Sequence, residues 1–503
     1  MKKVVIIGGG IGGLASAGLL AQRGFDVTLY ESRSQLGGRM GLLTAEGFRF
    51  DTGPSWYLMP EVYDHFFHLL GSNAEQELHL QRLKPAYRVF SKAAEGPITI
   101  VGNEAKDSAT FEAREPGAAV KLKSYLDSAE KTYNLALQNF LYTDFRQITT
   151  FLKPSVLANG PVMLRRMFQS MDGYISSQFT DPVLKQILEY PAVFLGGSPF
   201  DTPALYHLMS YLDFRQGVFY PKDGLYGVTE AAVRLARSHG ASLQTGHSVK
   251  RIIVAAGHAT GVELADGTIV TADIVISNGD LEATQRQLLP EGSRDYDASY
   301  WAKRQPGPSA LLMYLGVSGS LPQLEHHNLF FVDSWRDNFD QIYRGTEWPL
   351  STSMYVSKPT KTDTRLAPEG QENLFVLVPL PANLDIVPSD LDVWADRYLD
   401  QIAEQADIPD LRQRITYRKL FGPSEFAAEF GSWHGSALGL SHTLAQSALF
   451  RPATKSRRVK NLYYVGANVQ PGIGVPMCLI SAEIITKDIL GIKTSGPMDE
   501  VRP

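Results

Sequence analysis

The chain has 503 residues, more than one hydrophobic core usually organises, so two or more domains are expected, with room to bury a large cofactor. It is 44% apolar and 20% charged with a net charge of -5, and it carries neither a basic block nor an acidic tail, which argues against a nucleic-acid partner. The single cysteine, Cys478, excludes an intramolecular disulfide framework and a cysteine-rich metal site and fits a reducing compartment, the cytoplasm or the cytoplasmic face of a membrane.

At the amino end Lys2 and Lys3 precede an uncharged run, residues 4–21, that imitates a signal peptide or membrane span. Six of its residues are glycine and it continues into Gln22-Arg23-Gly24, so it reads as part of the fold. Val4-Val5-Ile6-Ile7 suits a strand buried on both faces, Gly8-Gly9-Gly10-Ile11-Gly12-Gly13 a tight turn, and residues 14–22 a helix closed by Gly24. A second strand, 26–30, delivers Glu31. In this order Gly8 permits the turn, Gly10 and Gly12 admit a pyrophosphate, Gly13 lets helix and strand pack closely, and Glu31 takes the ribose hydroxyls. A carboxylate at that position disfavours NADP. Gln35-Leu36-Gly37-Gly38-Arg39 and Phe50-Asp51-Thr52-Gly53-Pro54-Ser55 follow, and NAD enzymes need neither, so FAD is the expected cofactor. Gly37 and Gly38 allow positive φ behind which Arg39 can offer a fork of donors, and Asp51, Gly53, Pro54 and Ser55 join the candidate cofactor residues.

Residues 56–220 lack strand alternation and read as mostly helical, broken by Pro154, Pro161, Pro182, Pro191, Pro199 and Pro203. Within them Met163, Leu164, Met167, Phe168 and Met171 fall on one helix face with Arg165, Arg166 and Gln169 on the other; such a stripe is ordinary core or, alternatively, a face that rests on a bilayer. Nucleotide-fold grammar then resumes. A helix is expected over 224–239, strands at 242–243 and 249–254, a hairpin about Asp266-Gly267, and a buried strand at 274–276 whose trailing Ser277-Asn278-Gly279-Asp280 either borders the cofactor or is a polar turn only. Val249, heading its strand, is a further cofactor candidate. Residues 311–317 and 374–380 suggest a second sheet that roofs a substrate space. Near the end, a strand at 461–465 enters Gly466, and Gly474-Val475-Pro476 opens a helix to about 490; this uncharged segment holds too much proline and glycine to span a membrane. If one flavin touches both ends of the chain, this is its isoalloxazine side.

Taken with the amino-terminal set, the segments Gly217-Val218-Phe219-Tyr220-Pro221, Gly435-Ser436-Ala437-Leu438-Gly439-Leu440, Gln446-Ser447-Ala448, Phe450-Arg451-Pro452 and 471–476 resemble the bacterial phytoene desaturase family, close to the actinobacterial type, within the FAD-dependent amine-oxidase-like superfamily. Relatives commonly carry histidine where this chain has Gln470, and an amide cannot act as acid or base, so that position is expected to shape the flavin environment. The resemblance implies an α/β fold: a Rossmann-like FAD-binding domain of glutathione-reductase/amine-oxidase type, a mixed-sheet substrate domain, and an inserted helical domain able to associate with a membrane. The expected parts are 1–105, 223–290 and 431–503 for FAD, 106–222 for the helical insert and 291–430 for substrate. It implies an FAD-dependent oxidoreductase acting on CH–CH bonds, the stepwise dehydrogenation of 15-cis-phytoene to lycopene in carotenoid biosynthesis, by hydride transfer to the flavin and loss of a neighbouring proton. The expected partners are a long apolar carotenoid, oxygen or a quinone as electron acceptor, and a membrane met peripherally. Alternatives are another superfamily flavoenzyme (a diapophytoene desaturase, a carotenoid isomerase or oxidase, an amine oxidase) or a non-enzymatic prenyl-binding protein on the same fold. No catalytic residue is nominated, His207 and Glu189 read as structural, and no metal-ligand spacing appears.

Overall fold

The computed structural model describes residues 1–144, 153–384 and 390–500. A five-stranded, all-parallel sheet stands at its base, in the order Leu462–Tyr464, Ile274–Ser277, Lys3–Ile7, Asp26–Glu31, Ser242–Thr245. The central strands Lys3–Ile7 and Ile274–Ser277 are largely apolar runs because both faces are covered. The first helix, Ile11–Gln22, is buried almost all round and lies against the helices Tyr226–Ser238 and Val475–Leu490. Alanine and glycine dominate it for that reason: a larger side chain at Gly18 would press on Leu70 at 3.2 Å. A three-stranded antiparallel sheet, Val249–Ala255, His258–Leu264 and Ile269–Thr271, hangs from the same core.

The second sheet has seven strands, ordered Ile415–Phe421, Ser309–Ser318, Gln371–Leu380, Met354–Ser357, His327–Phe330, Tyr87–Phe90, Ile98–Ile100. Its two long strands show what a two-residue period does. Leu311, Met313 and Leu315 join Tyr398, Leu399 and Ile402 of the helix Asp390–Ala406, whereas Ala310, Leu312 and Tyr314 face a cavity. Residues 87–100, expected with the nucleotide unit, pair here instead, with Tyr87–Phe90 parallel to His327–Phe330. The stretch 56–220 is also less helical than expected, since Leu80–Arg82, Tyr87–Phe90, Ile98–Ile100 and Phe219–Pro221 are strands too short to display alternation. Part of that stretch, 145–152, lies outside the described residues, as do 385–389 and 501–503 of the later parts.

The helical region comprises Ala118–Asn139, whose Tyr133 and Ala136 line the cavity, with Pro154–Phe168, Met171–Ser176 and Pro182–Glu189; Pro154 and Pro182 lie in first turns, where a missing N–H costs nothing. The Met/Arg stripe does not pack as ordinary core. Phe168 ends its helix, Met171 is buried in the next one, and Leu164 and Phe168 are 57% and 72% exposed. Arg166 turns inward instead, because the Ser128 and Thr132 hydroxyls accept its N–H groups and Tyr174 lies under its guanidinium. Among the described residues no helix is long and apolar enough to cross a membrane.

Two buried polar devices tie these parts together. Asp213 accepts hydrogen bonds from Tyr87 (3.1 Å) and Tyr190 (2.8 Å), linking the helical region to the second sheet, and burial pushes its carboxyl up to about 7. Arg451 is enclosed by carbonyl oxygens: it donates to Leu440, Gln446, Ala467 and Val469, lacing the closing loops into one unit.

Because Asp213 holds a proton in the fold that the unfolded chain releases above about pH 4, its contribution to stability is fully present below that value and fades as pH rises through about 7. Asp213→Asn keeps an acceptor and cannot ionise, so the fall in melting temperature from about pH 4.5 to about pH 7 shrinks in this variant; an unchanged pH slope refutes the assignment. Arg451→Met leaves those carbonyls without donors at about 1–3 kcal/mol each, and its urea midpoint drops well below that of the parent; an unmoved midpoint contradicts the role.

Candidate active site

The strand Lys3–Ile7 ends in Gly8, at φ +95°, and the chain doubles back so that a Cβ on Gly13 would lie 2.1 Å from the Gly8 oxygen. Only glycine fits there. The helix Ile11–Gln22 therefore begins three residues earlier than its apolar pattern suggests, with Gly12 and Gly13 inside its first turn. No side chain caps this end and no acidic residue occupies its first turn, which leaves amides pointing outward as a seat for an anion. Glu31 closes the floor: its carboxylate accepts from the N–H of Gly9 at 2.6 Å and of Arg33 at 2.9 Å, with lone pairs left for hydroxyls. Gly37 N–H donates to Gly9 O at 2.8 Å, and Gly38 sits against Gly10, so the second glycine pair is strapped to the first.

The distant end of the chain meets the same place. Asn278, at the tip of Ile274–Ser277, fills the notch beside Gly8, Gly10 and Gly12, and a Cβ on Gly12 would stand 3.3 Å from the Gly466 nitrogen. Gly466 N–H in turn reaches the Ser481 hydroxyl of the last helix. That helix starts at Gly474 with no side-chain cap, and Gly474, Val475 and Pro476 face Arg39, Gly53, Pro54 and Ser55 across one cavity. Val249 lies at the far edge, half-buried, two residues past His247, whose N–H donates to Glu31 O.

Asp51 is the exception among the candidates. Its carboxylate caps the helix Tyr226–Ser238 through the N–H groups of Leu225 (2.8 Å) and Tyr226 (2.9 Å), and burial pushes its acid up to about 6. It holds a helix end and does not line the cavity. Gln470 likewise turns away, its amide donating to Ala448 O. His207 is enclosed by Ser128 and Ala204, with burial pushing it down to about 3, and Glu189 accepts from the Trp335 indole.

Arg39 is a cavity-lining cation whose hydrogen bonding is incomplete. One guanidinium nitrogen donates to the Ser432 hydroxyl at 2.6 Å and the group lies over the Phe430 ring, but Nε is buried with no acceptor among the described residues. Burial draws its pKa below the ordinary arginine value, with Asp280 opposing. A fork of donors short of an acceptor, beside two uncapped helix ends, fits a phosphate or a flavin pyrimidine. The cavity itself, about 490 Å³, runs from here between the second sheet and the helices, walled by Trp56, Tyr190, Phe194, Phe331, Trp335 and Tyr355 among others. Sequence reasoning missed these aromatics because they are scattered over three hundred positions; it also left Asn468 unassigned, although this residue bridges Asp280 and the Leu440 amide.

Residues 11–490 match the flavin containing amine oxidoreductase family. A carotenoid 3,4-desaturase of Haloarcula japonica is 41% identical over 96% of this chain and 97% of its own. A zeta-carotene-forming phytoene desaturase of Myxococcus xanthus is 34% identical over 97% and 94%. Among solved structures, an oxidoreductase from Methanosarcina mazei superposes with a TM-score of 0.65 at 19% identity, covering 96% of this chain and all of that one, which speaks to the fold alone. With two glycine turns meeting at one seat, the chain belongs to the flavin containing amine oxidoreductase family, as an FAD-dependent oxidoreductase.

Proposed function

We propose that this protein is a carotenoid desaturase that dehydrogenates 15-cis-phytoene stepwise to lycopene. FAD is held at the amino-terminal seat by Gly8, Gly10, Gly12, Gly13, Glu31, Gly37, Gly38 and Arg39, with Val249 by the adenine, and at the other end by Gly53, Pro54, Ser55, Gly466, Gly474, Val475 and Pro476. The observation that carries this reading is the long aromatic and aliphatic lining of the cavity beside Gly474, in the company of carotenoid-desaturating relatives. A hydrocarbon offers no hydrogen-bonding group, so its binding rests on burial, at about 25 cal/mol per Å² of apolar surface removed from water.

Bound FAD supplies the hydride acceptor. The chain contributes position and dryness: Trp56, Tyr190 and Phe331 restrict the polyene to sliding along one axis, and exclusion of water protects a cationic substrate from capture as an alcohol. Electrons leave to oxygen or a quinone. The outward Leu157, Leu164 and Phe168 with neighbouring Arg165 favour seating the helix Pro154–Phe168 on a bilayer, from which such a substrate is drawn. A second reading, favoured by the 41% identical relative, is desaturation at the 3,4 position of a carotenoid.

Purified protein incubated with FAD and phytoene-loaded liposomes develops visible absorption bands that move to longer wavelength as double bonds are added; no lengthening of the chromophore discards the desaturation of phytoene. Chromatography of products from lycopene-loaded liposomes tests the 3,4 reading, where a new product longer by one double bond is expected. Gly13→Ala, whose methyl would overlap the Gly8 carbonyl, yields protein without bound flavin; a variant that keeps a full flavin spectrum contradicts the proposed seat.

A further inference from the structure

Removing two hydrogens from a CH–CH unit releases one as hydride and the other as a proton, and the cavity wall holds a group suited to the second. We infer that Tyr355 and His327 form the proton acceptor of the reaction: the Tyr355 oxygen takes the proton from the substrate carbon while its own passes to Nδ1 of His327. This rests on the desaturase reading above and deepens it.

Tyr355 lies on the strand Met354–Ser357 and lines the cavity beside Ser55 and Trp56, the segment that carries the proposed flavin contacts. Its hydroxyl is 2.6 Å from Nδ1 of His327 on the neighbouring strand His327–Phe330. His327 is fully buried, and its ring lies flat on the cavity residue Trp56 with centroids 4.2 Å apart and planes at 10°. Stacking of this kind fixes the plane of the imidazole. Nε2 of His327 is buried without a partner among the described residues, as is Nε2 of the adjacent His326, whose ring is 4.5 Å away and whose Nδ1 is 2.6 Å from the Thr362 hydroxyl. The two histidines thus lie between the cavity wall and the half-exposed Thr362, in ring contact and with no hydrogen bond between them.

The electrons balance within the active site. The first C–H pair leaves with its hydrogen as hydride to FAD, oxidising the substrate by two electrons. The second C–H pair becomes the new C=C bond, and only a proton goes to Tyr355. Burial holds His327 far below the ordinary histidine range, which makes it a weak base. That suffices here, because a C–H beside an allylic cation is strongly acidic, and a neutral imidazole with Nδ1 free is the state needed to receive the proton.

Tyr355→Phe keeps the ring packed against Trp56 and deletes only the oxygen; His327→Asn keeps a polar atom toward Tyr355 that cannot take a proton. Anaerobic single-turnover bleaching of the flavin by phytoene in liposomes is followed in H₂O and D₂O, alongside flavin content and the spectral shift on substrate binding. Both variants are expected to retain flavin and substrate binding, to bleach at least about 10²-fold more slowly than the parent, and to lose the solvent isotope effect that the parent shows. Bleaching at the parental rate, or slowing matched by an equal loss of binding with the isotope effect intact, overturns the assignment. A parent protein that phytoene does not bleach at all overturns instead the desaturase reading beneath it.

Discussion

Backbone meets backbone without side chains between where the opening and closing glycine turns converge, and the site is arranged around that junction. Gly13 passes over the Gly8 carbonyl, Gly12 comes beside Gly466, and Asn278 fills the notch that remains. A methyl group at Gly13 would lie 2.1 Å from that carbonyl, closer than any atom pair tolerates. Two uncapped helix ends consequently face one seat, from opposite ends of the chain. The parallel sheet exists to hold the strand tips together there, and its largely apolar central strands are what burial on two faces demands.

The second sheet solves a different problem. It must present an apolar surface to a substrate without exposing it to water, and the two-residue period does this by giving Leu311, Met313 and Leu315 to a core and Ala310, Leu312 and Tyr314 to the cavity. Ionisable groups close to that space are biased toward their neutral forms: burial raises Asp213 to about 7 and Glu189 to about 8 and lowers both His326 and His327. A site that handles a transient carbocation gains from this, since a carboxylate free to attack it is absent from the described cavity wall except Glu429, which Arg33 binds at 3.0 Å.

The glycine turns were legible in the sequence because their chemistry is local: strand, turn, helix and acid follow each other within thirty residues, and each needs a particular residue type. The long strands of the second sheet were legible by their apolar runs. The capping contact of Asp51 was not legible because the helix end it caps begins 174 residues later, and nothing in Phe50-Asp51-Thr52 announces that partner. Arg166 was placed on the outer face because its amphipathic helix looks conventional alone; the hydroxyls that draw it inward belong to another helix. Residues 87–100 were grouped with the nucleotide unit, since their strands are too short for a period to show. Arg451 was noticed as part of a resemblance, but its function as a hub for four carbonyls depends on loops that only the fold assembles.

The most direct test is an experimental structure of the protein loaded with FAD. The account predicts the pyrophosphate within hydrogen-bonding reach of the amides at the start of Ile11–Gln22, and the flavin ring between Pro54–Ser55 and Val475–Pro476 with Arg39 against it. A flavin ring seated away from the Gly474 turn, or a pyrophosphate that bypasses the first helix, would contradict it.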